Sequence, residues 1–147
     1  NEGSGPEILD SHSTLFENSS DVMGWDVMPE GLKVRFSRDV PSIVRNSMPT
    51  VIENACKKWK IDKSEIEQFV FHPGGAKVLT AYEESLLLAK DVLKYAYQIL
   101  SENGNLSSAS VLFVLERHLK MEKPKNTLGL LAALGPGFSA ELALFKW

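Results

Sequence analysis

The sequence has little of what several classes of protein need. One cysteine in 147 residues excludes an internal disulfide framework and is typical of a protein from a reducing compartment. Sixteen basic against nineteen acidic residues leave a formal net charge of -3, with no long run of one sign. Proteins that bind nucleic acid through its phosphates are usually basic. We therefore expect a cytoplasmic protein that does not bind nucleic acid.

Long apolar runs are also missing. The most apolar stretch, residues 127–145, is interrupted by Gly135-Pro136-Gly137, which favours a turn between two buried strands over a membrane-spanning helix. Residues 1–6 are polar and loop-like, without the basic and apolar regions of a signal sequence. The sequence thus predicts no membrane association. Because it does not begin with methionine, we expect a processed product or a part of something longer.

What is present is an ordinary globular balance, 44% hydrophobic and 24% charged residues, in a chain long enough to bury about two-thirds of its unfolded surface. Strand and helix signals alternate without a repeat, which predicts one layered α/β domain with a mixed sheet. Strands are predicted at residues 7–16, in a hairpin over 25–36, at 69–71, at 95–100, and in a final antiparallel pair, 128–134 and 138–145. Helices are predicted at residues 41–59 with a break at Pro49, at 76–94 with an interruption near 84–85, and at 108–120, before a loop at Pro124.

The hairpin has a regular polarity pattern. Leu32, Val34 and Phe36 alternate with Lys33 and Arg35. A period of two predicts one buried face and one wetter face.

A histidine stands where a predicted buried strand ends, in the segment His72-Pro73-Gly74-Gly75-Ala76-Lys77. Ligands of α/β sheets commonly bind in the crevice at the carboxyl ends of strands. The glycines would let a ligand approach the backbone, and the following helix N-terminus offers free N–H donors. An ordinary strand-to-helix turn, with the histidine bonded to neighbouring backbone, is the alternative.

A second glycine turn leads into a helix at residues 101–109, after what the pattern predicts to be an extended run. The small residues at 107–109 allow close approach of a ligand or another backbone. Helix capping by Asn103 or Asn105 is the alternative. Taken together, the two turns can aim the His72 imidazole and the Asn105 carboxamide at one oxygen, as an enolate or a tetrahedral oxyanion requires. Gly135-Pro136-Gly137 would close the wall of the same pocket.

These segments resemble the type III polyketide synthases, the chalcone and stilbene synthase-like enzymes. The matching segments are residues 34–40 (VRFSRDV), 72–75 (HPGG), 104–109 (GNLSSA) and 135–137 (GPG). HPGG and GNLSS at this spacing form a much stronger signal than either piece. The resemblance covers residues 5–147 and only the C-terminal half of a family member. It implies that residues 1–147 form half of a thiolase-like fold, a five-stranded mixed sheet with covering helices.

The resemblance also implies an acyltransferase with a Cys-His-Asn catalytic set. In the family a cysteine takes an acyl group from a coenzyme A thioester, malonyl-CoA loses carbon dioxide, and the resulting enolate attacks the acyl group. His72 would donate a hydrogen bond to the malonyl thioester oxygen and help to keep the cysteine ionised, and Asn105 would be the second donor. Acyl-CoA and malonyl-CoA are then substrates, and neither a resident cofactor nor a metal is expected.

Other positions carry over in the same way. Gly74, Gly75 and Lys77 match positions along the pantetheine arm of coenzyme A, and Ser107 and the 135–137 turn match positions that shape the cavity. Val34 stands where the plant enzymes keep a phenylalanine at the pocket entrance. This is a departure from the family, and the missing ring should widen the passage. We therefore hypothesise an acyl starter bulkier or longer than a coumaroyl unit, such as a fatty acyl chain.

The nucleophilic cysteine belongs to the family's N-terminal half, which this sequence lacks. Cys56 lies in the middle of a predicted helix and is expected to be a packed thiol. We therefore expect the isolated chain to be inactive, its partner to be the N-terminal half of the same enzyme, and the complete enzyme to be a homodimer. Another thiolase-fold condensing enzyme (a ketoacyl-CoA synthase or ketoacyl synthase III) and a non-catalytic binding or dimerisation domain remain alternatives.

The remaining histidines and a lysine cluster suggest no further site. His12 is expected to be a surface or pairing residue, and His118 is expected to be solvated on its amphipathic helix. Three histidines and one distant cysteine do not have the spacing of metal ligands. Lys57, Lys58 and Lys60 are expected to form a solvated helix face.

Overall fold

The computed structural model describes residues 5–89, 91–121 and 126–147. The loop predicted at Pro124 and most of the polar start predicted over residues 1–6 lie outside these ranges. The described residues form an α/β domain. In chain order its elements are β1 (Glu7–Leu15), β2 (Met23–Met28), β3 (Gly31–Phe36), α1 (Val40–Trp59), a 3-10 turn (Lys63–Glu65), β4 (Ile66–Phe71), α2 (Ala76–Leu86), α3 (Lys94–Asn103), α4 (Ala109–Leu119), β5 (Leu128–Gly135) and β6 (Ser139–Lys146).

The main sheet is mixed, as predicted. Within the described residues it has four strands in the order β1-β6-β5-β4. β4 runs parallel to β5, and the other neighbours are antiparallel. The final pair predicted around Gly135-Pro136-Gly137 is confirmed as β5 and β6. In the part of the chain that the structure describes, strands β2 and β3 pair only with each other, as a separate hairpin.

The strand predicted at residues 95–100 is wrong, because this segment lies in α3. The resemblance implied five strands in the sheet, whereas the part of the chain that the structure describes has four. Aromatic and β-branched side chains suggested a strand, but Ala96 and Ile99 are the buried residues of this helix. Their spacing of three is a helical period, and packing of that face decides the conformation.

Helix α1 runs unbroken through Pro49, so the predicted split is also wrong. Pro49 removes one backbone hydrogen bond and costs roughly 3 kcal/mol in a helix interior. The helix buries a continuous apolar stripe that offsets this cost: Val40, Val44, Met48, Val51, Ile52, Ala55 and Cys56. The next helix, predicted over 76–94, ends earlier, at Leu86, where Leu87 adopts a left-handed φ of 54°.

The hydrophobic core joins the sheet to its helices. Helix α1 packs against α2 and contacts β1 and β6, whereas α4 contacts β4 and α3. Phe71 is 0% exposed and its ring centroid lies 4.7 Å from that of Tyr82. Phe145 covers Gly129, where a Cβ would overlap the aromatic ring. Within the described ranges no helix is both long and apolar enough to cross a membrane.

The hairpin does not have the buried face that its alternation predicts. Trp25 stands opposite Val34, and Val27 opposite Leu32, so these side chains share one apolar face. Leu32 is 67% exposed and Val34 is 57% exposed. The prediction fails because the hairpin lies outside the main sheet, and no helix or strand of the described residues covers this face.

His118 is buried rather than solvated. It lies on the buried stripe of α4 with Val111 and Val114, at the spacing of three and four that faces the core. Its ring lies 4.8 Å from that of Tyr95, and its Nδ1 is 3.2 Å from Oε1 of Gln68.

The three lysines at the C-terminal end of α1 and its cap, Lys57, Lys58 and Lys60, are exposed, as predicted. Lys58 reaches across to β1, where its Nζ donates to the Ser11 carbonyl. His12 is a strand residue whose Nε2 lies 3.2 Å from the Thr14 hydroxyl.

Candidate active site

The first loop of the site leaves the sheet at the end of β4. The His72 backbone N–H donates to the Ala132 carbonyl of β5, so the residue is still held by the sheet. The Gly74 N–H then donates to the His72 carbonyl, which closes a tight turn before α2 begins. The imidazole is half-buried, and burial lowers the pKa of His72 below its ordinary value. A neutral imidazole, with one N–H to donate, is therefore favoured.

The second loop connects two helices, not the predicted extended run and a helix. Helix α3 ends at Asn103, and Gly104 adopts a φ of 71° while its N–H donates to the Leu100 carbonyl. Glycine is common at this position because the left-handed region strains other residues. The turn brings the chain back into α4 at Ala109.

The Asn105 carboxamide joins the two loops. Its Oδ1 accepts from the Ser107 N–H at 2.9 Å, and its Nδ2 donates to the Gly74 carbonyl at 3.1 Å. The capping alternative is not what the structure shows, because the N-cap residue of α4 is Ser108, whose side chain makes no capping hydrogen bond. Asn103 lies at the other helix, with its Nδ2 3.4 Å from the Ile99 carbonyl.

Both loops open into one cleft of about 760 Å³. The hairpin, the start of α4 and the β5–β6 turn complete its walls. Of the residues predicted for the site, the cleft is lined by Val34, His72, Gly74, Asn105, Ser107, Gly135 and Pro136. Gly75, Lys77 and Gly137 are not among the lining residues. Lys77 is exposed in the first turn of α2, and Gly75 borders open space.

Much of the lining was not predicted from the sequence. The further lining residues are Met23, Gly24, Trp25, Leu32, Phe36, Val40, Val78, Ser108, Val111, Ala133, Leu134 and Glu141. The alternation in β3 was a usable signal, since it places Leu32 and Phe36 on the same face as Val34. Trp25 follows only from the register of the hairpin. Glu141 brings a carboxylate, which accepts a 2.9 Å hydrogen bond from the Ser13 hydroxyl.

Cys56 is away from this cleft. It is a free, buried cysteine on α1, as predicted, and burial raises the pKa of its thiol, with the Asp62 carboxylate adding to the effect. A thiol with a raised pKa is a poor nucleophile. Within residues 5–89, 91–121 and 126–147 no group of three or more His, Cys, Asp or Glu could hold a metal ion.

His72 and Asn105 offer two neutral hydrogen-bond donors to a ligand in this cleft. Both side chains lie beside Gly74. Its carbonyl accepts a hydrogen bond from Nδ2 of Asn105, and a Cβ added to this glycine would lie 3.6 Å from His72 Cδ2 and 3.9 Å from His72 Nε2. Donors held in place beside apolar walls interact strongly with a charge that develops on a bound oxygen.

Known proteins share both this sequence and this fold. Residues 7–146 match the family described as chalcone and stilbene synthases, C-terminal domain. The chain is 46% identical to a putative chalcone synthase of Bacillus subtilis (strain 168), over 97% of this chain and 39% of that protein. It is 34% identical to the 1,3,6,8-tetrahydroxynaphthalene synthase of Streptomyces peucetius subsp. caesius, over 97% of this chain and 38% of that protein.

A solved structure extends the likeness to three dimensions. The 1,3,6,8-tetrahydroxynaphthalene synthase of Streptomyces coelicolor A3(2), a bacterial type III polyketide synthase, superposes with a TM-score of 0.91 at 26% identity, over 100% of this chain and 42% of that one. The chain thus spans about two-fifths of the length of these relatives. By sequence and by fold, the chain belongs to the family of chalcone and stilbene synthases, as its C-terminal, thiolase-like α/β domain.

Proposed function

We propose that this domain is the C-terminal catalytic half of a type III polyketide synthase, an acyltransferase that decarboxylates malonyl-CoA and condenses the product onto an acyl group. The observation that carries the proposal is the hydrogen bond from the Asn105 carboxamide to the carbonyl of Gly74, two residues after His72. Asn105 and His72 line the same cleft. Family membership and the names of the relatives support the same reaction.

The two donors act on the thioester oxygen of malonyl-CoA. When the carbon–carbon bond to the malonyl carboxylate breaks, carbon dioxide leaves. The electron pair of that bond stays behind and forms an enolate, which places negative charge on the thioester oxygen. Hydrogen bonds from His72 and Asn105 strengthen as this charge grows, so they lower the barrier more than they tighten substrate binding. The enolate carbon then attacks the acyl thioester, a carbon–carbon bond forms, and the cysteine thiolate is released.

The acyl-carrying cysteine comes from an N-terminal half outside this chain. Cys56 does not supply it, because it is buried and away from the cleft. Several large apolar side chains of this domain are exposed, which supports the proposal that another protein surface packs against it: Ile8, Leu15, Val27, Leu32, Leu112 and Phe113. We also propose that the complete enzyme is a homodimer, which light scattering on the complete polypeptide tests. The substrates are coenzyme A thioesters, and these steps need no resident cofactor.

The pantetheine arm is proposed to pass along Gly74 and Gly75, with Lys77 near its outer end. Gly75 has no atom within 4 Å of the position of a Cβ, and its extended φ of 162° suits any residue. Gly75→Ala should therefore fold normally but narrow the path of the arm. We expect its KM for malonyl-CoA to rise about tenfold, or about 1.4 kcal/mol. Gly5→Ala, also in open space, is the matched control; equal KM values for the two variants would contradict this path.

The starter is proposed to be a long acyl chain. Val34 lines the cleft within an apolar face that also includes Trp25, Leu32 and Phe36. Ser107 and the Gly135-Pro136-Gly137 turn are proposed to shape the cavity in which the chain grows, and Ser107, Gly135 and Pro136 line the cleft. We expect the complete enzyme to prefer long acyl-CoA starters over phenylpropanoid ones and Val34→Phe to reduce that preference. A panel of starters that favours phenylpropanoid thioesters would contradict this proposal.

The reaction itself is tested with the complete polypeptide supplied with malonyl-CoA and an acyl-CoA. His72→Ala and Asn105→Ala should each lower carbon dioxide release by about 10²–10³, the usual cost of losing one oxyanion donor. His12→Ala and Asn103→Ala remove the same residue types outside the cleft and should leave the rate unchanged. Undiminished release in both cleft variants would refute the assigned roles.

A further inference from the structure

We propose that Ser110 is a positioning residue for Asn105: its buried hydroxyl fixes the turn at residues 104–108 so that the carboxamide keeps one orientation. The inference rests on the proposed function, because it concerns the second donor of that reaction. It adds a residue that is not among those lining the cleft.

Ser110 holds both residues that follow Asn105. The side chain is 0% exposed, and its Oγ accepts the Leu106 N–H at 2.7 Å. Its own backbone N–H donates to the Ser107 carbonyl at 3.0 Å. The buried hydroxyl in the first turn of α4 thus accepts a hydrogen bond from the turn that precedes this helix.

Ser107 needs such support because its backbone is strained. Its φ is 58°, in the left-handed region that residues other than glycine rarely adopt. A conformation of this kind is unfavourable and persists only where its surroundings impose it. In this conformation the Ser107 N–H points to Oδ1 of Asn105.

The bond to Oδ1 decides which way the carboxamide faces. Because Oδ1 accepts from Ser107, the amino group lies on the other side and donates one hydrogen to the Gly74 carbonyl. The amino group has a second hydrogen, which remains for a ligand in the cleft. A flipped carboxamide would set its oxygen against the Gly74 carbonyl and present no donor there. Ser110 holds the turn through its hydrogen bonds to Leu106 and Ser107, and therefore keeps the amino group of Asn105 turned toward Gly74 and the cleft.

The orientation is tested by NMR of the complete polypeptide labelled with ¹⁵N-asparagine and ¹⁵N-leucine. Ser110→Ala removes the acceptor of the Leu106 N–H, and Ser110→Cys replaces it with a weak sulfur acceptor of similar size. We expect the Leu106 backbone amide and the Asn105 side-chain amide signals to shift together in both variants, more in Ser110→Ala. Ser85→Ala is the control, because the Ser85 hydroxyl is buried in α2 and has no hydrogen-bond partner within the described residues.

The kinetic readout separates positioning from general stability. Ser110→Ala should lower kcat for carbon dioxide release about tenfold, less than outright loss of a donor, with KM for malonyl-CoA changed less than twofold. Ser110→Cys should recover part of the loss, and Ser85→Ala should match the unsubstituted enzyme.

A variant in which the Leu106 signal moves while the Asn105 side-chain signals stay in place would overturn the proposal, and Ser110→Cys allows this comparison if Ser110→Ala does not fold. If the unsubstituted enzyme releases no carbon dioxide, the proposed function fails, but the NMR comparison still decides the role of Ser110.

Discussion

Apolar side chains are abundant both in the core, which lies between the sheet and its helices, and in the cleft beside the hairpin. The exposed fraction of these side chains differs greatly between the two regions. Phe71 and Tyr82 are at most 1% exposed, whereas Leu32 and Val34 remain more than half exposed. Burial in the core is complete within this chain, so the core holds the fold. The apolar face of the hairpin stabilises the chain little by itself, and it is available to a substrate or to further protein.

The largest effect is expected from Phe71→Ala. The side chain is fully buried between Phe69 and Tyr82, so its loss leaves a cavity in a close-packed region. We expect the free energy of unfolding to fall by about 3–5 kcal/mol, measured by urea denaturation. A loss below about 1 kcal/mol would show that the core tolerates rearrangement and would weaken the contrast with the cleft.

A smaller loss is expected from Gly129→Ala. The added methyl group would overlap the Phe145 ring, which must then move within the sheet layer. We expect a destabilisation of about 1–3 kcal/mol in the same denaturation measurement. Gly5→Ala, where the methyl group meets nothing within 4 Å, is the control. Equal stability of the two variants would contradict the close packing inferred at Gly129.

The cleft should respond to pH through His72. Burial lowers the pKa of this imidazole, so the unfolded chain takes up its proton at a higher pH than the folded chain. The stability of the folded chain should therefore decrease as the pH falls from about 6.5 through the folded pKa, by about 1.4 kcal/mol per unit of pKa difference, and should not change above that range. NMR titration of the His72 ring should have its midpoint below the ordinary value, and His72→Gln should remove this part of the pH dependence. A midpoint at or above the ordinary value would contradict the burial described for the site.

The smallest effect is expected from Val27→Ala on the apolar face of the hairpin. Val27 is 85% exposed, so shortening it should change the unfolding free energy of the 147-residue chain by less than about 0.5 kcal/mol. A larger loss would mean that the hairpin contributes to the core and would erase the difference between the two regions. If the complete polypeptide loses more stability than this chain on the same substitution, the face is covered by the rest of the protein.

Several elements could be predicted because their signals are local. Three of them depend only on residues close in sequence: the alternation in β3, the Gly135-Pro136-Gly137 turn between apolar runs, and the amphipathic pattern of α4. The strand ending before His72 was predicted for the same reason. Predictions failed at Pro49, at residues 95–100 and at His118, where packing against distant elements outweighs local preference.

The amino-acid sequence by itself determined the residue types of this site: a histidine after a strand, an asparagine in a glycine turn, and small residues around them. Only the tertiary structure decided that Asn105 bonds to the Gly74 carbonyl, 31 positions away, and that the hairpin face stays open. The physical reason is that periodicity reports which side chains prefer burial, whereas the partner of a carboxamide or the cover of an apolar face depends on how separate elements pack.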